Sequence, residues 1–523
     1  MRALKPWTTI LVLVVVAIGA ARTTAQPSAP STLIRHAQVI DGTGGPARRV
    51  DVRVAGDRID AVGQLAPVAG ERIVDAEGLT LAPGFIDTHS HHDRGLDAAR
   101  DAVAMVSQGV TTIVVGQDGG GANLAALFAR IESQPVSVNV ASYAGHGSIR
   151  SRVMGQDFAR KATPDEIERM KGFVQAEMDA GALGLSTGLE YDPGIYSAPE
   201  EVLALAKVAA DAGGRYISHM RSEDRWFWEA LDELIAIGRT HGMPVQVSHI
   251  KLGMHDLWGQ AEKLIGVLDR ARAAGVQLTA DIYPYTYWQS NLGVLYPKRN
   301  FSDEKETGFV LGHVSLAEDI IFNSFRAHPE YVGKTLADVA KLTGTTPAKT
   351  LMALLAEPGG SSAGIVAKGM ADADVERLMQ WPHANVCSDG TSTGLHPRGF
   401  GSFAKVIGPS VRARRLFSLQ EAVRKMTSLA AANVGLPNRG RIAPDNFADL
   451  VLFDPAVVAD RADFGKAQAQ AVGVRTVWVN GEVVFQDGKA TGVHSGRPLR
   501  REKAPRVPAV AFVRYPVSSV ATR

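Results

Sequence analysis

Eight apolar runs of strand length recur through the middle of this chain, most of them separated by stretches of helical pattern, and each ends in polar residues. They are GFIDTHSH (84–91), TTIVVGQD (111–118), SVNVASYAGH (137–146), ALGLSTGLE (182–190), YISHM (216–220), VQVSHIK (245–251), LTADIYPY (278–285) and NVCSDG (385–390). A strand that is apolar along its whole length is buried on both faces, as in a parallel sheet covered by helices. Eight such strands alternating with helices predict a (β/α)8 barrel of the TIM type, spanning 83–437. Short strands with turn residues fill 32–82 and return over 438–495, where Asn480-Gly481 between two apolar runs marks a hairpin. The two chain ends are therefore expected to build one small β-sandwich domain. The stretch at about 286–360 exceeds an ordinary βα connection and is expected to form a lid-like insertion over the barrel mouth.

Residues 1–25 stand apart. Arg2 and Lys5 precede the apolar run Ile10–Ala21, and Thr23-Thr24-Ala25 follows it. The run is shorter than the roughly 20 residues that cross a bilayer, so it is expected to be a cleaved signal peptide delivering the chain to the periplasm or the medium. A single cysteine, Cys387, excludes an internal disulfide. With Lys+Arg 56 against Asp+Glu 54, the net charge of +2 leaves no basic stripe for nucleic acid. No stable membrane partner is expected beyond export. The oligomeric state is not readable from these residues.

In a buried parallel strand an imidazole or carboxylate at the C-terminal end needs a reason, and in barrels that end collects catalytic groups. Here such groups recur. Side chains alternate along a strand, so His89 and His91 are expected to share a face and to meet at one metal ion. The fifth run carries His219, the sixth His249 and the eighth Asp389. Four histidines and a carboxylate at one mouth match a hydrolytic site for one or two Zn²⁺ ions, with positions left open for water. Arg398 offers a bidentate fork for a substrate carboxylate, and Lys251 and Tyr283 offer single donors. His146, at the end of the third run, is expected either to orient a ligand or water or to satisfy a turn carbonyl.

Taken together, several motifs resemble the amidohydrolase superfamily and, within it, the N-acyl-D-amino-acid deacylases. They are APGFIDTHSHHD (82–93), GVTTIVVG (109–116), GHGSIR (145–150), GALGLSTGLEYDPG (181–194), YISHMRSE (216–223), VQVSHIK (245–251), DIYPYT (281–286), CSDG (387–390) and HPRGFGSF (396–403). The resemblance implies a metal-dependent hydrolase releasing a D-amino acid and a carboxylate from an N-acyl-D-amino acid. It makes His89, His91, His219 and His249 metal ligands, Asp389 the catalytic carboxylate, and Arg398, Lys251 and Tyr283 the binders of the substrate α-carboxylate. Tyr191 and Ser290 are expected to line the pocket. The chain departs from the family at one place. Where these deacylases carry a cysteine ligand, this chain has Gly116-Gln117-Asp118-Gly119, which makes Asp118 the candidate ligand and brings Mn²⁺ or Co²⁺ into consideration beside Zn²⁺. Glu190 is the reserve bridging ligand. The alternatives are another amidohydrolase acting on D- or isoaspartyl dipeptides or cyclic amides, and a non-catalytic ligand-binding barrel.

Overall fold

The computed structural model describes residues 31–121 and 123–502; the segment read as a signal peptide lies outside them. All eight predicted runs form barrel strands, in order Phe85–Asp87, Val110–Val115, Asn139–Ser142, Gly184–Gly188, Arg215–His219, Val245–Val247, Leu278–Ile282 and Ala384–Val386. The first three pair in parallel as one arc. The last five pair in parallel as a second arc, which reaches the third strand through Ala144–Gly145. A parallel bridge between Ser90 and Gly390 closes the seam just beyond the first and eighth strands.

Ile86, Val114, Ala141 and Ile217 pack in one cluster with Ala430 and Val434 of helix Ser428–Val434. Helices form the outer layer, and their ends are written in the sequence. Helix Pro164–Ala180, for example, starts with a Thr163/Glu166 capping box and Pro164 in the first turn.

The chain ends meet in a single continuous nine-stranded sheet. Leu450–Phe453, from the C-terminal part, runs antiparallel to Thr80–Pro83, from the N-terminal part. Ile34, Val52 and Leu81 share one buried cluster with Leu450, Leu452 and Trp478, so the sheet folds over its own core. The Asn480-Gly481 turn joins Val474–Val479 to Glu482–Gln486 with φ of 49° and 84°. A two-residue hairpin turn of this type requires positive φ at both positions.

Between the seventh and eighth barrel strands lies an antiparallel three-stranded sheet of Tyr287–Asn291, Gly364–Lys368 and Ile320–Ser324, with helices Glu304–Phe309, Leu336–Thr343 and Pro347–Ala356. Trp288, Ser290, Val294, Leu295 and Val314, all from this insertion, wall a cavity whose other side is the barrel mouth. No described helix is long and apolar enough to cross a membrane.

Candidate active site at the barrel mouth

The first barrel strand stops at Asp87, so His89 and His91 stand just past it rather than within it. The bridge from Ser90 to Gly390 and the bond from His91 N–H to the Gly390 carbonyl, 2.9 Å, extend the strand-like path. Both rings still face the same cluster, with centroids 5.4 Å apart. Asp118 follows the second strand, His219 ends the fifth, His249 follows the sixth and Asp389 the eighth.

Three of these residues carry backbone that side chains rarely adopt: φ is 53° at Asp118, 33° at His249 and 47° at Asp389. Each such conformation costs on the order of 1–3 kcal/mol and persists only where its surroundings over-determine it. Those surroundings are specific. His249 N–H donates to Asp281 Oδ1 at 2.5 Å, and Asp389 N–H to the His89 carbonyl at 2.8 Å. Gly119 N–H, beside Asp118, donates to Ser186 Oγ at 3.0 Å. Gly188 lets the fourth strand approach the same turn, since a Cβ there would meet the Asp118 carbonyl oxygen at 2.1 Å.

The side chains converge as their backbones direct. Asp118 Oδ1 lies 3.3 Å from His89 Nε2 and 3.4 Å from His249 Nε2, while Oδ2 lies 3.1 Å from His91 Nε2. Asp389 Oδ1 lies 3.3 Å from His91 Nε2 and 3.6 Å from His89 Nε2. His249 Nε2 is 3.1 Å from His219 Nδ1, and His219 Nε2 is 3.0 Å from Glu190 Oε2. Both ring nitrogens of His89, and Asp118 Oδ1, are buried with no hydrogen-bond partner among the described residues. Buried polar atoms left this way are costly, and a cation is the ligand that would satisfy imidazole nitrogens and carboxylate oxygens together. One atom from each of His89, Asp118, His249 and Asp389 falls within 4.8 Å of the others, and the same holds for His219, Glu223 and His249.

Charge follows from the packing. Burial would raise the Asp118 and Asp389 carboxyls, but the histidines around both, and Arg398 beside Asp389, hold them well below the ordinary range. Burial would lower the histidines, yet Asp118 and Asp389 outweigh it at His91, which is pushed up to about 9. At His249 burial and Lys251 both act downward, and Glu223, Asp389 and Asp118 prevail, raising it to about 10. Burial, with Asp224 and Glu223 nearby, raises Glu190.

Neither candidate cation for a substrate carboxylate stands free. Lys251 Nζ lies 2.7 Å from both Glu223 oxygens and 2.7 Å from His249 Nδ1. Arg398 Nη1 lies 2.6 Å from Asp389 Oδ2. Arg398 nevertheless keeps a spare donor, because its buried Nε has no hydrogen-bond partner among the described residues, and the same is true of Tyr283 Oη. The Arg398 guanidinium sits 4.9 Å from the Tyr283 ring centre. Tyr191 Oη is 3.2 Å from His219 Nδ1, and Tyr191 and Ser290 both line the cavity.

His146 belongs elsewhere. Its Nε2 lies 2.8 Å from Glu201 Oε1, and Arg150 pairs with the other oxygen of that carboxylate, making a buried knot between two helices rather than an orienting contact to a ligand or a turn carbonyl. Sequence reasoning passed over Glu223, which holds Lys251 and faces both His219 and His249. Its position four residues beyond His219 in YISHMRSE was the available signal. It also passed over Asp281, within DIYPYT, and Asp87, whose carboxylate accepts from Ser388 N–H at 2.8 Å and so aligns the Asp389 turn.

Comparison with known proteins gives this constellation its relatives. The amidohydrolase family matches residues 72–380 and 401–485. A D-aminoacylase of Alcaligenes xylosoxydans xylosoxydans is 35% identical over 498 residues, covering 90% of this chain and 98% of that one. The chain belongs to the amidohydrolase family. Within that family, an N-acyl-D-glutamate deacylase of the same organism is also 35% identical, over 90% of this chain and 96% of its own length. A crystal structure of N-acyl-D-glutamate deacylase from Bordetella bronchiseptica, complexed with zinc and a phosphonate mimic of the tetrahedral intermediate, superposes with a TM-score of 0.81 at 35% identity, covering 90% of this amidohydrolase chain and all of that one.

Proposed function

We propose that this protein is a metal-dependent N-acyl-D-amino-acid deacylase, hydrolysing the amide to a free D-amino acid and a carboxylate. The observation that carries the reading is the meeting of four histidines with Asp118 and Asp389 at the barrel mouth, beside spare donors on Arg398 and Tyr283. The relatives' activities support the choice of bond: one is a D-aminoacylase and another an N-acyl-D-glutamate deacylase.

His89, His91, His219, His249, Asp118 and Asp389 would hold one or two zinc ions, which supply Lewis acidity that polarises a carbonyl and makes water acidic enough to ionise near neutral pH. The chain's own groups do the rest. Asp389, held ionised by Arg398 and the histidines, takes a proton from the attacking water. It returns that proton to the amide nitrogen as the C–N bond breaks, so the leaving group departs as a neutral amine. Arg398 Nε and Tyr283 Oη bind the α-carboxylate and fix the amide relative to Asp389. The walls contributed by the insertion exclude water from the rest of the substrate.

Amine release from matched N-acetyl-D- and N-acetyl-L-amino acids, with added zinc and with chelator, tests the reading. Chelator-sensitive release from the D series is expected; silence on both series from folded, metal-loaded protein would refute it. The charged and apolar opening of the chain supports export, and mass spectrometry of the N-terminus of protein recovered from the periplasm is expected to begin near Gln26.

A further inference from the structure

Arg299 belongs to the insertion, in the segment between strand Tyr287–Asn291 and helix Glu304–Phe309, and its largely buried guanidinium faces two ways. On the insertion side Nη1 donates to the carbonyls of Gly293, at 3.2 Å, and Tyr296, at 2.9 Å. On the barrel side Nε donates to Asp192 Oδ1 at 3.0 Å and Nη2 to the Glu190 carbonyl at 2.7 Å. Four acceptors in fixed directions suit a planar fork and would not all be met by the single ammonium of a lysine. The backbone sets the direction of the side chain: φ at Arg299 is 53°, and its N–H donates to the Tyr296 carbonyl at 2.8 Å.

The two residues that Arg299 grips flank Tyr191, and this tripeptide carries groups that touch His219. Glu190 Oε2 lies 3.0 Å from His219 Nε2, and Glu190 Oε1 accepts the Glu223 N–H at 2.7 Å, so the carboxylate is fixed at both oxygens. Tyr191 packs against the same imidazole, with ring centres 4.4 Å apart. With Nε2 occupied in this way, the nitrogen turned toward His249 Nε2, 3.1 Å away, is Nδ1. A histidine that binds metal through one nitrogen needs the other held by an acceptor, because that bond fixes the tautomer and the direction of the ring.

We propose that Arg299 is a positioning residue for the metal centre, acting from the insertion through the Glu190 loop to keep His219 Nδ1 aimed at the cation. The proposal rests on the metal-dependent reading above. It makes the insertion part of the support of the centre as well as a wall of the cavity.

Zinc affinity, with no substrate present, is the test. Full-length protein stripped with chelator is titrated with ZnCl₂ against a chromophoric chelator, and the folding of each variant is checked by circular dichroism. Arg299→Ala is expected to weaken zinc binding about tenfold to a hundredfold, as is Glu190→Gln. The double variant is expected to fall well short of the product of the two losses, because both changes break one chain of contacts. His313→Ala is the control: it breaks a different and exposed contact of the insertion, 2.9 Å to Asp256, and is expected to leave zinc affinity unchanged. Equal weakening by His313→Ala, fully multiplicative losses in the double variant, or a folded Arg299→Ala protein that binds zinc as the wild type does would overturn the proposal. Should Arg299→Ala fail to fold, Asp192→Ala, at a half-exposed side chain, decides in its place, with weaker zinc binding expected and unchanged affinity overturning the proposal. A wild type that binds no zinc would refute the metal-dependent reading itself, whereas an unaffected variant of a zinc-binding wild type refutes only the role of Arg299.

Discussion

The two ends of the barrel both bury polar groups and treat them in opposite ways. At the junction with the sheet domain, Asp449 accepts from Asn139 Nδ2 at 3.2 Å and from Asn480 N–H at 2.8 Å, and pairs with Arg439. Asn480 Nδ2 donates to Asn139 Oδ1 at 2.8 Å, and Arg439 Nη2 to Asn480 Oδ1 at 3.1 Å. None of the buried side-chain nitrogen or oxygen atoms of these four residues lacks a hydrogen-bond partner. At the mouth, His89, Asp118, Tyr283 and Arg398 all have buried polar atoms without one among the described residues. Polar burial alone therefore does not mark a site. The junction is a satisfied network that fixes the third strand to the sheet domain, and the mouth is an unsatisfied one that a ligand completes.

That contrast can be broken from either side. Asp389→Asn keeps the shape of the mouth but removes its proton acceptor, and turnover per bound metal is expected to fall about 10³-fold, measured by steady-state kinetics beside elemental analysis. Near-normal turnover would remove Asp389 from the mechanism. At the junction, Asp449→Ala strands Arg439 in a buried position, and urea unfolding is expected to show about 3 kcal/mol lost, with turnover per folded molecule preserved. Should turnover fall while stability holds, the assignment of the two ends would be reversed.

Smaller effects sharpen the account of the mouth. Arg398→Ala is expected to raise KM for acyl amino acids about tenfold to a hundredfold, the worth of a hydrogen bond to a charged group. Proton balance gives a further check. His91 and His249, raised to about 9 and about 10 by the surrounding carboxylates, hold protons at pH 7 in the metal-free protein. Those protons must leave when the nitrogens bind metal, so affinity should climb with pH by about tenfold per unit for each proton displaced, until the pH passes those values. Calorimetry in two buffers of different ionisation enthalpy counts the protons, and a pH-independent affinity would contradict the charge state described here.

The sequence exposed whatever repeats or follows from strand geometry. Eight apolar runs declare the barrel, and polar residues at their ends declare the mouth, which is why His89, His91, His219, His249 and Asp389 were legible. Pairings between distant segments were not. That Glu223 claims Lys251, and that Asp389 claims Arg398, depends on which loops the barrel brings side by side. His146 ends an apolar run like the others, but Glu201, on helix Pro199–Asp211, draws it outward, and nothing near His146 in the chain announces that helix. The three-residue first strand was equally hidden, because the bridge to Gly390 that prolongs its path comes from 300 residues away.

The most direct measurement is reconstitution. Metal-free full-length protein is titrated with zinc while amine release from an N-acetyl-D-amino acid is followed together with bound zinc. No release is expected without metal, and the rate is expected to rise with occupancy of the mouth. Release at full rate from protein shown to hold no metal would contradict it.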